Sequence, residues 1–168
     1  MVHIGINFSA PTTKNRRTKN LDDPDLEELY KAIENKDYQL YIEEGKFRAP
    51  VLAGDICFEL YEPQSNNGIN RGYLVTNDSK EIWRWNGKHY QNDGEDIIRD
   101  ITQLVIGKQC KDHWKNEVIS WVKDNRQLRI DREFFDSNIH LINLENGVYN
   151  LRTHEFAEHR PEYYFTHC

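Results

Sequence analysis

Three cysteines in 168 residues, Cys57, Cys110 and Cys168, are too few and too widely spaced for a disulfide framework. Small stapled secreted scaffolds are thereby excluded, and a reducing interior is expected. No apolar run approaches the 18 or so residues of a membrane span. The start, Met-Val-His-Ile-Gly-Ile-Asn-Phe, has neither a basic lead nor a long apolar stretch, so it is not a secretory signal, and a cytoplasmic setting without membrane contact is expected. The nine glycines are scattered, and none stands in a Gly-x-x-x-x-Gly-Lys-Ser/Thr loop whose N–H groups would cradle phosphates. Paired carboxylates on a strand, which would hold a catalytic divalent cation, are missing too. The nearest spacing, Asp23-x-Asp25, is explained by a helix start at Asp23-Pro24. No ATPase, primase or nuclease chemistry is expected, and no cofactor.

Metal binding lacks a framework of the same kind. Cys110-x-x-His113, His154-x4-His159 and His167-Cys168 carry donors, but the tight knuckles of structural zinc sites are missing, so no metal is expected. Cys57 lies on an apolar helix and reads as core.

What is present is a foldable composition. Hydrophobic residues make up 38% and aromatics 12%, enough for one core at this length. Charged residues at 30% and a mean hydropathy of -0.86 give a polar surface. The net charge of -6 hides an asymmetry. Residues 1–20 hold Lys14, Arg16, Arg17 and Lys19 without an acid; the other eighteen bases face twenty-eight acids, a balance of -10. An acidic body repels polyphosphate, so nucleic acid must be met by local patches or by this basic arm.

The pattern divides as a flexible arm over 1–20 and one α+β domain over 21–168, helical over 21–62. Leu26, Leu29, Tyr30 and Ile33 share a helix face after Asp23-Pro24. Tyr38, Leu40, Tyr41 and Ile42 extend it or form a short second helix that Gly45 breaks. Ala49-Pro50 opens the next helix, with Leu52, Ile56 and Leu60 inward. Residues 62–70 form a loop. Strands follow at Tyr73–Thr76 and Glu81–Trp85, and Asn86-Gly87 turns the chain into Lys88–Tyr90, a small antiparallel meander. Trp83 and Trp85 face one side, the core side. Gly94 precedes a helix with Ile97, Ile98, Ile101, Leu104 and Val105 inward, ended by Gly107. Trp114, Val118, Trp121 and Val122 mark another, ending near Asn125. Asp131 caps a turn with Phe134 and Phe135. Asn146-Gly147, between two apolar runs, signals a two-residue hairpin, and 155–159 is a third strand.

The order and content of these pieces resemble the accessory domain that precedes the superfamily-3 helicase domain of poxvirus-type primase–helicases and of replication proteins of phages, plasmids and archaeal viruses. The resemblance runs over about Phe47–Thr166. Phe47-Arg-Ala-Pro-Val-Leu-Ala-Gly-Asp-Ile56 is similar to the family's opening Phe-x-Pro-x-x-Leu-Ala-x-x-Ile, and 76–90 to its aromatic hairpin. Residues 94–123 resemble its two amphipathic helices. Asn146-Gly147-Val-Tyr-Asn-Leu151, then His159-Arg160-Pro161 and Thr166, resemble its closing signature, with Asn150 where the family often has Asp. Residues 1–46 match nothing in the pattern. The resemblance implies a non-catalytic domain that helps assemble a helicase ring and guides DNA. Its implied partners are an ATPase domain expected downstream in the same polypeptide, further copies of the full-length protein, and single-stranded DNA. The alternative is a stand-alone adaptor of a mobile element that binds a protein partner.

The residues themselves nominate the DNA-contacting cations. Lys108–Arg132 is locally basic, seven bases against four acids, with Lys108, Lys111 and Lys115 aligned along a helix and Arg126 and Arg129 beyond it. Arg84 and Lys88 on the meander are expected to be exposed, and Lys14, Arg16, Arg17 and Lys19 of the arm complete the set. Trp114 and Trp121 could serve as stacking platforms, although their spacing with Val118 favours core packing.

Overall fold

The computed structural model describes residues 38–59 and 72–168. The basic arm, the helix expected after Asp23-Pro24, Leu60 and the 62–70 loop lie outside these residues. The described fold is α+β, with three helices, short 3-10 turns and three small sheets around one core.

The first described segment is a hairpin, not a helix. A 3-10 turn, Tyr38–Tyr41, runs into β1 (Ile42–Glu43), which pairs antiparallel with β2 (Lys46–Phe47). The turn is Glu44-Gly45, with φ of 51° and 76°. Two successive positive φ values make the tight hairpin turn that matches strand twist. Gly45 therefore reverses a strand pair rather than breaking a helix. Helix α1 (Ala49–Gly54) starts on Pro50, as expected for the first turn, where a missing N–H is harmless. It widens into a π-turn over Asp55–Glu59. Leu52, Ala53, Ile56 and Cys57 are buried, and burial pushes the Cys57 thiol up to about 12.

The central sheet has the order β5-β4-β3-β6. Its meander, β3 (Tyr73–Thr76), β4 (Ile82–Trp85) and β5 (Tyr90–Gln91), follows the sequence pattern. The meander's second turn is closed by Asn86 N–H donating to His89 O at 3.0 Å, with Gly87 at φ 91°. Asn86 Oδ1 accepts from the N–H groups of Lys88 and His89, so the asparagine holds the turn from its own side chain. β6 (Arg129–Ile130) lies parallel to β3 and has no counterpart in the sequence pattern. Two residues are too short for an alternation to show. A parallel neighbour needs a long crossover, and the two following helices supply it.

Helix α2 (Gly94–Ile106) and helix α3 (Asp112–Asp124) form that crossover. Gly94 is required by contact. A Cβ there would lie 2.7 Å from Ile82 Cγ2 and 2.8 Å from Ile82 O. Ile97, Ile98, Ile101 and Val105 are buried as expected, but Leu104 is 49% exposed. At 100° per residue Leu104 falls roughly 75° from the middle of those four, just beyond their edge. Gly107 ends the helix at φ 67°. Glu95 ties α2 to α3 through Lys123 at 2.6 Å, and Arg99 at 2.8 Å adds a second cation. These two cations, Lys123 first, hold the Glu95 carboxyl below its ordinary value. On α3 the buried residues are Val118, Ile119 and Val122.

Arg84 is among the largest fully buried side chains of the described residues, only 1% exposed. Its guanidinium meets Asp93, immediately before α2, at 3.1 Å and also donates to Trp85 O and Gln91 Oε1. It was expected at the surface because it alternates with Trp83 and Trp85. Both faces of β4 are in fact covered: Ile82, Arg84 and Trp85 are buried, and Trp83 packs on Phe135 with ring centroids 4.9 Å apart. Asp131 precedes the expected short turn, Arg132–Phe134, without a side-chain cap bond.

The third sheet, β7 (Leu141–Leu144), β8 (Gly147–Asn150) and β9 (Phe156–Ala157), is the expected three-stranded unit. Its turn is displaced by one residue. Leu144 pairs with Gly147, so Glu145-Asn146 are the loop residues and Gly147 begins the strand. Gly147 is still the irreplaceable one. Its φ is 146°, and a Cβ would strike the Phe156 ring and sit 2.6 Å from Ala157 O.

Two stability measurements test this account. Gly147→Val should destabilise by about 2–4 kcal/mol, combining a strained φ with an overpacked contact. An unchanged melting temperature would contradict the β8–β9 packing. Arg84→Ala should lower the free energy of unfolding by about 3 kcal/mol in denaturant titrations. That is the low end for a broken buried pair, because Asp93 keeps access to water. A loss below about 1 kcal/mol, the surface-pair range, would mean that Arg84 is not structural.

Candidate functional site

The sequence-nominated cations separate into distinct places. Lys108 is exposed in the 3-10 turn Gly107–Gln109 after α2. Lys111 stands in extended backbone before α3, and Lys115 lies on its first turn. Lys115 pairs with Asp112 at 3.4 Å. Arg126 and Arg129 lie past the other end of α3, about 20 Å away at 1.5 Å per residue. Arg126 is exposed; Arg129 is partly buried and faces Asp124 at 4.0 Å. Lys88 sits on the meander turn, paired with Glu145 at 2.9 Å, which raises the lysine pKa and lowers that of the glutamate. Arg84 is internal and leaves the set. Lys14, Arg16, Arg17 and Lys19 lie outside the described residues.

At the start of α3 the cations surround aromatic rings. Trp114 stacks on Phe47 of β2, with centroids 4.8 Å apart and planes 19° from parallel. Lys111 Nζ lies 5.1 Å from the Trp114 ring centre. His113 meets the same indole edge-on at 5.8 Å. Trp114 and Trp121 are both half-buried and rest against the core, so each is partly core and partly surface. Trp121, with Ala49, Pro50, Phe58, Glu117 and Asp124, lines an open groove of about 790 Å³ between α1 and α3. Its carboxylates make it unsuited to a phosphate-bearing ligand.

The C-terminal sheet presents an inverted alternation. Asn143, the polar member of β7, points inward and is 8% exposed, while Ile142 and Leu144 are 42% and 41% exposed. Register places Tyr149 and Phe156 beside Ile142 on this outer face. Ile139 and Leu151 are exposed nearby in sequence. Asn143 is held in place from inside: its Nδ2 donates to Lys88 O at 3.1 Å and His167 O at 2.8 Å. The closing segment is strapped to the body at further points. Tyr90 N–H donates to Phe165 O at 2.7 Å, and Thr166 bonds the Asp136 carboxylate through both its N–H and its hydroxyl. The sequence reading assigned neither face of this hairpin to the core or to solvent. The lone Asn between Ile142 and Leu144 was the available signal.

Among the described residues no group of three or more His, Cys, Asp or Glu could hold a metal ion. The donors singled out in the sequence have other neighbours. Cys110 Sγ donates to Lys111 O, His154 Nδ1 meets Tyr149 OH, and His159 Nε2 meets Leu144 O. No described helix is long and apolar enough to cross a membrane.

His89 joins the meander to the strap, its Nδ1 lying 3.3 Å from Cys168 Sγ. Burial, followed by the nearby charges of His167, Lys88 and His159, lowers its pKa, with Glu145 opposing. A histidine whose folded pKa lies below the unfolded value of about 6.5 is fully stabilising above that pH. The contribution is lost as pH falls below 6.5 through the folded pKa, because the unfolded chain then binds the extra proton. Ring-resonance titration should place the His89 midpoint below 6.5; a midpoint at or above it would contradict the buried position.

The comparisons with known proteins agree with this architecture. No curated protein matches the chain. The family model described as D5 N terminal like matches residues 67–168, well over half of the chain, spanning the central sheet, both crossover helices and the C-terminal sheet with its strap. The chain belongs to the D5 N terminal like family, the N-terminal domain of D5-type primase–helicases, and no catalytic domain is evident within it.

Proposed function

We propose that this chain is the non-catalytic accessory domain of a replicative primase–helicase, seated against the ATPase domain of the same polypeptide and supporting assembly of the helicase ring. The observation that carries this reading is the outward apolar face of the C-terminal sheet, Ile142, Leu144 and Phe156. A soluble surface seldom gathers such residues without a partner. Here the gathering is enforced, since buried Asn143 fixes which face of β7 turns out. The strap that pins residues 165–167 gives a following domain a fixed point of departure, so that domain would meet this face at a defined angle. The domain's own share in the work is positional. ATP turnover belongs to the partner, and the pure chain should hydrolyse none.

The test is association with the ATPase domain. Ile142→Lys combined with Phe156→Glu should weaken co-assembly at least tenfold by analytical ultracentrifugation; both side chains are about half exposed, so the variant should still fold, at a melting temperature lowered by loss of the Phe156 packing over Gly147. Full co-assembly by a folded double variant would sink the reading. Assembly with an unrelated partner, but none with the ATPase domain, would favour the adaptor function.

A further inference from the structure

About half of the cations among the described residues are already paired with carboxylates. Arg48, Lys88, Arg99, Lys115, Lys123, Arg129 and Arg132 each have an acidic partner. Among the described residues no carboxylate pairs with Lys108 or Lys111, nor with Lys46, Lys80, Arg126, Arg152 or Arg160; what sets Lys111 apart is the indole beneath it. Lys108 and Lys111 lie three residues apart, on the short link between α2 and α3, and Lys111 rests on Trp114. Trp114 is backed by Phe47 in a near-parallel stack, and both rings are anchored on the core. An aromatic platform held rigid from behind, with one ammonium group over the ring and another three residues away on the same link, has the chemistry of a base-stacking site beside a phosphate backbone.

We propose that Phe47–Trp114, with Lys108 and Lys111, is a binding site for single-stranded nucleic acid. One base stacks on the outer part of the Trp114 indole. In doing so it displaces the Lys111 ammonium, a flexible group in an exposed cation–π contact that is weaker than a base stack. Lys111 then turns to the phosphate on one side of the stacked nucleotide, and Lys108 takes its neighbour. A duplex cannot use the platform, because its bases are already stacked on one another. Binding is sequence-tolerant, since every base has a π-face. It is salt-sensitive, and weak at physiological salt because the surrounding body is acidic. The site deepens the replication reading by naming what the domain touches besides protein.

The experiment is fluorescence anisotropy on the full chain at low salt, with labelled oligothymidylate and a duplex of equal length. The wild-type chain should prefer the single strand. Trp114→Leu, which keeps apolar packing, should lower single-strand affinity at least tenfold and remove the preference. Trp114→Phe, which keeps a ring, should bind within a few-fold of wild type, and this guards against a folding artefact. Lys108→Glu with Lys111→Glu should weaken both nucleic acids, and the distant Lys80→Glu should change neither. Unchanged single-strand affinity in folded Trp114→Leu, or no saturable binding by wild type, would overturn the site. Competition by free thymidine monophosphate at the strand's own concentration would also overturn it, in favour of a mononucleotide pocket. Loss of strand binding with intact co-assembly leaves the accessory reading standing; the reverse result separates the two the other way.

Discussion

The geometry of the body depends on one buried charge. Arg84 lies on an interior strand of the central sheet with essentially no exposure, and its guanidinium is matched by Asp93 just ahead of α2. A buried cation is tolerated only when it is paired and hydrogen-bonded, so this contact fixes where the chain leaves β5 and where α2 begins. Gly94 acts with it. Without a Cβ, the first turn of α2 settles against the Ile82 backbone, on the strand that carries Arg84. Once α2 is set, Glu95 positions α3 through Lys123, and α3 carries Trp114 to meet Phe47. The order of dependence therefore runs from an internal ion pair to a surface platform. Among the described residues, the surface rings are thus tied to the most deeply buried charge.

Much of the skeleton was legible because it is written in strong local signals. Gly107 at a positive φ, Pro50 in the first turn of α1 and the isoleucine stripe of α2 each have one physical reading. Failures occurred where a signal serves two structures. Gly45 suits a helix end and a two-residue hairpin equally well, and only pairing of Ile42 with Phe47 decides between them. Asn146-Gly147 marks a hairpin, but register moved the loop to Glu145-Asn146. Two-residue strands such as β6 carry no period at all. Of the nominated site, the segment Lys108–Lys115 was visible as local basic charge. Phe47 as its ring partner was not, since that contact joins a hairpin and a helix far apart in sequence. Arg84 was misread because alternation on β4 was taken to mean one exposed face, whereas that strand is covered on both sides.

Net charge and local pairing give different accounts of this surface. An excess of acid over the body suggests a surface hostile to nucleic acid, yet acids are consumed locally. Arg132 engages both Asp78 and Glu81, and its hydrogen bond lowers the Asp78 pKa to about 2. Lys88 and Glu145 neutralise each other beside the C-terminal hairpin. Each such pair removes one cation from the surface inventory as effectively as it removes one anion. What remains free is a better guide to contact than a count along a window. By that measure Arg129, half-buried and facing Asp124, is a poorer candidate than its place in a basic stretch suggested.

The two candidate surfaces call for different partners because they are built differently. The platform at α3 is aromatic and cationic, and it rests on the core without exposing a broad apolar area. The C-terminal sheet has the reverse character: Lys88, which reaches it from the meander, is paired with Glu145, and Ile142, Leu144 and Phe156 are exposed on it. Nothing in a phosphate backbone would cover those side chains, whereas another folded domain would. Burial of Asn143 is the decisive asymmetry. Turning β7 over would hide two apolar residues but carry the Asn143 amide to the outside, leaving the Lys88 and His167 carbonyls without their donor. The two hydrogen bonds of the Asn143 amide and the strap contacts at Phe165 and Thr166 act together to keep this face outward. A domain built this way holds an apolar face open toward one side and a charged platform at the start of α3, which is the arrangement expected of a piece that positions one partner with respect to another.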